Sequence, residues 1–186
     1  MLKKLLIGIG IIIIIPLFIA LMLDNEYEVE KNIIIDQPIT QVFSYIKLLK
    51  NQDNYSTWAK LDPNTQRSYK GTDGTVGFIS KWNSQNPEVG TGEQEIVAIL
   101  PSKRIDLQLR FLKPFKATEP AYMTTQAMGT NQTKVTWGFK GHLNYPMNLM
   151  FLAIDFEHQI GNELQQGLNN LKVILEKKDN TTKYID

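Results

Sequence analysis

The stretch Gly71-Thr-Asp-Gly-Thr-Val-Gly-Phe-Ile-Ser-Lys-Trp-Asn-Ser-Gln-Asn-Pro-Glu-Val-Gly-Thr-Gly-Glu93 holds five of the chain's 12 glycines. Its reading decides the fold. As a phosphate cradle it fails. Gly71, Gly74 and Gly77 are spaced three apart, which is neither G-x-G-x-x-G nor G-x-x-x-x-G-K-[ST]. They also lead into strand-like residues, so no helix N-terminus awaits an anion. As turn chemistry it succeeds. Lys70-Gly-Thr-Asp-Gly74 reads as a hairpin turn with positive-φ glycines, and Asn86-Pro-Glu-Val-Gly90 as the next reversal. Gly77, Gly90 and Gly92 permit strong strand curvature.

The flanking sequence continues that pattern. Tyr27 to Ile35 alternates with Tyr27, Val29, Ile33 and Ile35 on one face, which predicts a strand. Asp36-Gln-Pro-Ile39 punctuates, with Pro38 suited to the first helical position. Val42, Phe43 and Ile46 then predict a short helix, Leu48 to Tyr55 a second, and Thr57 to Pro63 a loop. Strands follow at Gln66 to Lys70, through Val76, Phe78 and Trp82, and from Gly90 to Leu100. Arg104 to Phe111 puts Ile105, Leu107, Leu109 and Phe111 on one face and Asp106, Gln108 and Arg110 on the other. Ala117 to Met128 and Lys134 to His142 complete an antiparallel meander, with Val135, Trp137 and Phe139 sharing a face. From Pro146 to about Lys177, apolar residues from Leu149 through Leu164 to Leu175 recur at three and four residues. That predicts one helix of about 30 residues. Residues 179–186 read as a flexible tail.

Composition narrows the chemistry. The chain has 186 residues and no cysteine, which excludes thiol nucleophiles, disulfides and Cys-ligated zinc. Its two histidines, His142 and His158, lack a metal-binding spacing. No metal or cofactor is expected. Net charge is +1, and without Lys3 and Lys4 the remainder is 18 basic against 19 acidic, or −1. There is no basic stripe for nucleic acid. Residues 5–23 are uncharged, which predicts a transmembrane helix and an anchor over residues 1–24. Lys3 and Lys4 before it, and Asp24, Glu26, Glu28 and Glu30 after it, predict an N-terminus inside. The expected location is the cytoplasmic membrane, single-pass, with the domain of residues 25–178 on the extracytoplasmic side.

The order of elements and several local stretches carry a resemblance. Those stretches are Ile39-Thr-Gln-Val-Phe-Ser-Tyr-Ile46, Trp58, Asp73-Gly-Thr-Val-Gly77 leading to Trp82, Gly90-Thr-Gly-Glu-Gln-Glu-Ile96, Pro101-Ser-Lys-Arg-Ile105 and Gly161-Asn-Glu-Leu-Gln-Gln-Gly-Leu-Asn-Asn-Leu-Lys172. Over about residues 26 to 177 the chain resembles the START-like helix-grip superfamily (SRPBCC), in its polyketide cyclase/dehydrase branch. The resemblance implies an α+β fold: a curved antiparallel sheet of six or seven strands around a long C-terminal helix, with two short helices after the first strand. It also implies a cavity between the sheet and that helix. Candidate lining residues are Phe43, Trp58, Phe78, Trp82, Leu107, Leu109, Tyr122, Trp137, Ile160 and Leu164. Each of these is also what an ordinary core contains. Gly161 and Gly167 leave room on the helix.

Polar candidates read as peripheral. Arg110, Glu93, Glu95 and His142 have outward parity, and His158 lies off the apolar stripe. Tyr45, Tyr55 and Tyr122 are the hydroxyls able to donate to a ligand. No Gly-x-Ser-x-Gly elbow is present. The expected function is a membrane-anchored binding domain for an apolar or amphipathic small molecule, with a lipid among the candidates. The alternatives are a cyclase-, dehydrase- or hydrolase-like enzyme using the same cavity, and a protein-interaction module.

Overall fold

The computed structural model describes residues 2–182. Helix α1 (Leu2–Ala20) leads into strand β1 (Glu26–Ile35). Helix α2 (Ile39–Ile46), a 3-10 turn (Leu49–Asn51), and the one-turn helices α3 (Gln52–Tyr55) and α4 (Trp58–Leu61) follow. Then come β2 (Gln66–Lys70), β3 (Ile79–Asn83), β4 (Thr91–Leu100), β5 (Arg104–Lys113), β6 (Ala117–Ala127) and β7 (Thr133–His142). A 3-10 segment (Met147–Leu152) precedes helix α5 (Phe156–Thr182). The seven strands form one sheet in the order β1-β7-β6-β5-β4-β3-β2, antiparallel throughout.

The inward parity of each strand builds the core. Val29 and Ile35 of β1, Ile96 of β4, Leu107 of β5, Ala121 and Met123 of β6, and Val135 and Trp137 of β7 are all buried. Helix α5 covers them with Leu164, Leu168, Leu171 and Leu175, and α2 adds Val42, Phe43 and Ile46. This is the helix-grip arrangement. The glycine reading holds at the backbone: Gly71, Gly74, Gly77 and Gly90 all have positive φ. The Gly90 amide closes its reversal on the Asn86 carbonyl at 2.8 Å.

Four local expectations change. Thr57 to Pro63 contains the helical turn α4 rather than only loop. Strand β3 starts at Ile79, because residues 71–78 form a longer connection that docks back on β4 through the Gly77 amide and Ile96 carbonyl, 2.8 Å apart. The single helix expected from Pro146 is broken near Ala153–Asp155. Asp155 Oδ1 accepts the His158 amide at 2.8 Å and so starts α5 afresh. Helix α5 continues to Thr182, so the tail expected over 179–186 begins inside it, and residues 183–186 lie outside the described residues.

The N-terminal expectation is overturned. Among the described residues no helix is long and apolar enough to cross a membrane. The reason is length. Helix α1 closes at Ala20, and residues 21–23 leave it as a turn. Its uncharged part therefore runs only from Leu5 to Ala20, which is 16 residues. That is about 24 Å of helix, where a span takes about 20 residues. The transmembrane helix over residues 5–23, the single-pass topology, and the placement at the cytoplasmic membrane with the domain outside all fall with it. What holds the end of α1 is a side chain 128 residues away. The Asn148 amide, fully buried, donates to the carbonyls of Ala20 (2.7 Å) and Leu23 (3.3 Å) and to Asn25 Oδ1 (2.8 Å).

Candidate functional site

Leu168, Leu171 and Leu175 of α5 are buried in the core. Toward the helix's N-terminal half a cavity of about 270 Å³ opens between α5, the α3–α4 corner and strands β2 to β7. The sheet supplies an apolar floor: Leu107, Leu109 and Phe111 from β5, Ala121 from β6, and Trp137 and Phe139 from β7. Ile160 and Leu164 form the α5 side, and Trp58 and Ala59 the α4 side.

The three tryptophans of the chain, Trp58, Trp82 and Trp137, all line this space. Trp58 meets Trp137 edge-on, with centroids 6.3 Å apart, and Trp82 meets Phe111 likewise at 6.1 Å. Two glycines make these positions available. A Cβ on Gly92 would lie 2.5 Å from the Trp82 ring and 2.7 Å from the Arg110 carbonyl oxygen, so the bare backbone is what lets the indole lie across β4. A Cβ on Gly167 would come within 2.8 Å of the Trp137 ring. Trp82 is further fixed by its indole N–H, which donates to the Val89 carbonyl at 3.1 Å.

One end of the cavity is polar. Gln52, Asp53 and Ser56 arrive together on α3 and its exit, Arg67 from β2 and Gln94 from β4. Gln94 Nε2 donates to Gln52 Oε1 at 2.5 Å. Arg67 Nη1 lies 2.8 Å from Asp53 Oδ1, and the Tyr69 hydroxyl donates to Asp53 Oδ2 at 3.3 Å. Burial pushes the Asp53 carboxyl up, opposed by the Arg67 guanidinium and the Tyr69 hydroxyl. Ser56 is buried against the rest of the protein. Among the described residues no group of three or more His, Asp or Glu side chains is arranged to hold a metal.

Seven of the ten residues singled out from the sequence line this cavity: Trp58, Trp82, Leu107, Leu109, Trp137, Ile160 and Leu164. Phe43 and Phe78 do not; both are buried in the packed core, Phe78 stacked on Tyr69 at 6.0 Å. Tyr122 is on the other side of the sheet. Ala121 and Met123 take the inward positions of β6, so Tyr122 points outward. It lies over Gly138, under the Arg104 guanidinium (4.1 Å from the ring centroid), with its hydroxyl on Glu28 and Glu30. Burial and those two carboxylates raise its phenol well above the ordinary value.

Phe111 and Phe139 also line the cavity; sequence reasoning missed them, and the signal available was the strand face each shares with Leu109 and Trp137. The polar end had no such signal. Gln52 and Gln94 are 42 residues apart and meet only through the fold. Arg110, Glu93 and Glu95 form an ion-pair group on the outer face, with Arg110 Nε 2.7 Å from Glu93. His142 and His158 are exposed, bonded to Asn144 and Asn162 respectively.

A second acid sits inside the sheet. Glu119, 8% exposed, occupies an inward position of β6 opposite Leu109. Burial raises its carboxyl, and the His142 backbone partly opposes this. Tyr27, packed with Phe139, Phe151 and Phe156, is pushed up to about 12 by burial and then by Glu119.

No protein-family model matches the chain, and no curated protein matches it by sequence. Solved structures do match by shape. Ara h 8.0201 superposes with a TM-score of 0.57 at 15% identity, covering 82% of this chain and 99% of its own. DynU16, described as a putative protein of the dynemicin biosynthetic locus, gives 0.56 at 13% identity over 80% of this chain and 47% of its own. A norcoclaurine synthase point mutant from Thalictrum, in complex with a transition-state analogue, gives 0.60 at 7% identity over 83% and 96%. At such identities the likeness is one of fold, and the fold this chain shares with these proteins is the helix grip.

Proposed function

We propose that the chain is a binding domain for a small, predominantly apolar molecule held between the sheet and α5. One observation carries the reading: a largely apolar cavity of about 270 Å³ that gathers the chain's three tryptophans and has Gln52, Asp53, Ser56, Arg67 and Gln94 grouped at one end. Small-molecule sites have this character, aromatic and aliphatic walls with a few placed polar groups. The volume is at the small end of the range, which points to a compact ligand rather than a long acyl chain. The norcoclaurine synthase complex, on the same fold, supports the reading by analogy.

The test combines native mass spectrometry of gently purified protein with tryptophan fluorescence during titration with phenylnaphthylamine, an uncharged apolar probe. The expected result is a stoichiometric bound mass released on denaturation, or probe uptake with quenching of the indoles. Ala121→Phe on the floor and Ala59→Phe on the half-buried α4 each fill the space and should abolish uptake. An empty protein that takes up no probe overturns the reading and leaves the interaction module.

Asp53 favours a second reading, a cyclase- or dehydrase-like enzyme. It is a carboxyl on the cavity wall whose proton affinity burial raises, the property of a general acid or base. Chemical conversion of a captured molecule, lost in Asp53→Asn while capture persists, selects that reading.

A further inference from the structure

We propose that the cavity selects an uncharged molecule whose apolar body ends in a single hydroxyl or amide group, and that Gln52 and Gln94 read that group. This rests on the binding reading above and names the class of ligand it takes.

The charges at the polar end are already balanced. Asp53 and Arg67 pair at 2.8 Å, and the second Asp53 oxygen accepts the Tyr69 hydroxyl. The one other charged residue of the lining, Glu88, is exposed, where solvent screens it. A carboxylate entering the site would face Asp53, and an ammonium would face Arg67. Neither meets an unpaired counter-charge to replace its lost hydration.

What the site leaves open is neutral hydrogen-bonding capacity. With Gln94 Nε2 donating to Gln52 Oε1, the Gln52 amino group keeps both its donors and the Gln94 carbonyl keeps its acceptor role. Exchanging the two amide orientations preserves that balance of donors and acceptor. Ser56 lines the same end. A hydroxyl or amide both donates and accepts, so it satisfies the Gln52–Gln94 pair at once. A ligand with no polar group strands these amides against hydrocarbon, and a site built to bond a polar group rejects the analogue lacking it.

The experiment is isothermal titration calorimetry of the full chain with four probes of one shape: naphthalene, naphthol, naphthoate and naphthylmethylamine. Naphthol is expected to bind about tenfold more tightly than naphthalene, and at least about tenfold more tightly than either charged probe. Gln94→Met is expected to remove the roughly tenfold difference between naphthol and naphthalene. Gln52→Met, on the half-buried α3, repeats the test where the fold is less exposed to risk. Equal affinity for naphthol and naphthalene, or tighter binding of a charged probe, overturns this inference and leaves the binding reading standing. Failure of all four probes to bind overturns both.

Discussion

Glu119 shows what a single side chain does here. It turns inward from β6 and is 8% exposed, so folding strips water from its carboxyl and raises its proton affinity. A carboxyl whose folded pKa lies above the unfolded value near 4.3 contributes stability below that value, and the contribution is lost as pH rises through the folded pKa. Glu119→Gln should therefore be more stable than the native chain at neutral pH, with the difference vanishing at about pH 4. Urea denaturation at the two pH values measures this, and equal stability at both would contradict it. The parity that turns Glu119, Ala121 and Met123 inward turns Tyr122 out. The family resemblance alone puts Tyr122 among the cavity residues, and no clean alternation over Ala117 to Met128 marks which face it takes. In the structure Gly138 lies bare beneath the ring and Arg104 above it.

At the scale of elements, legibility followed periodicity. The clean alternation of Arg104 to Phe111 predicted β5 and its apolar face, and the leucines of α5 predicted the helix that covers it, whereas the expectation of a cavity came only from the family resemblance. The break before α5 was not visible, because Leu149 and Ala153 continue the helical stripe through it. Asp155 decides the matter locally by bonding the His158 amide. Asp155→Ala should cost about 1 kcal/mol, read as a lower denaturation midpoint, and Asp155→Asn should retain most of it. No loss in the alanine variant would mean that packing of Phe156 on Tyr27 sets the start of the helix instead. The polar end of the cavity was illegible for another reason. Its pairs join α3 to two strands far along the chain, Asp53 to Arg67 of β2 and Gln52 to Gln94 of β4, and no local pattern encodes such a meeting.

At the scale of the molecule, α1 is attached to the domain largely through the 3-10 segment before α5, and Asn148 is the centre of that seat. Asn148→Ala leaves buried carbonyls without a donor and should cost about 2 kcal/mol. Asn148→Asp should cost more, because a carboxylate would face the three oxygens that the amide now bonds. Denaturation midpoints, with limited proteolysis across residues 21–25, measure both, and an unchanged midpoint in both variants would show the seat to be dispensable. The sheet order has a consequence of a different kind. Among the described residues strand β1 pairs with β7, the last strand made, and with no other. Ile35 ends β1 and Thr133 begins β7, about 100 residues later. At a synthesis rate of about 5–20 residues per second, the first strand waits roughly 5–20 s on the ribosome before its partner exists. Throughout that interval the edge and the isoleucines of β1 are unpaired. The nascent chain is therefore most in need of a chaperone in the seconds before its final strand emerges.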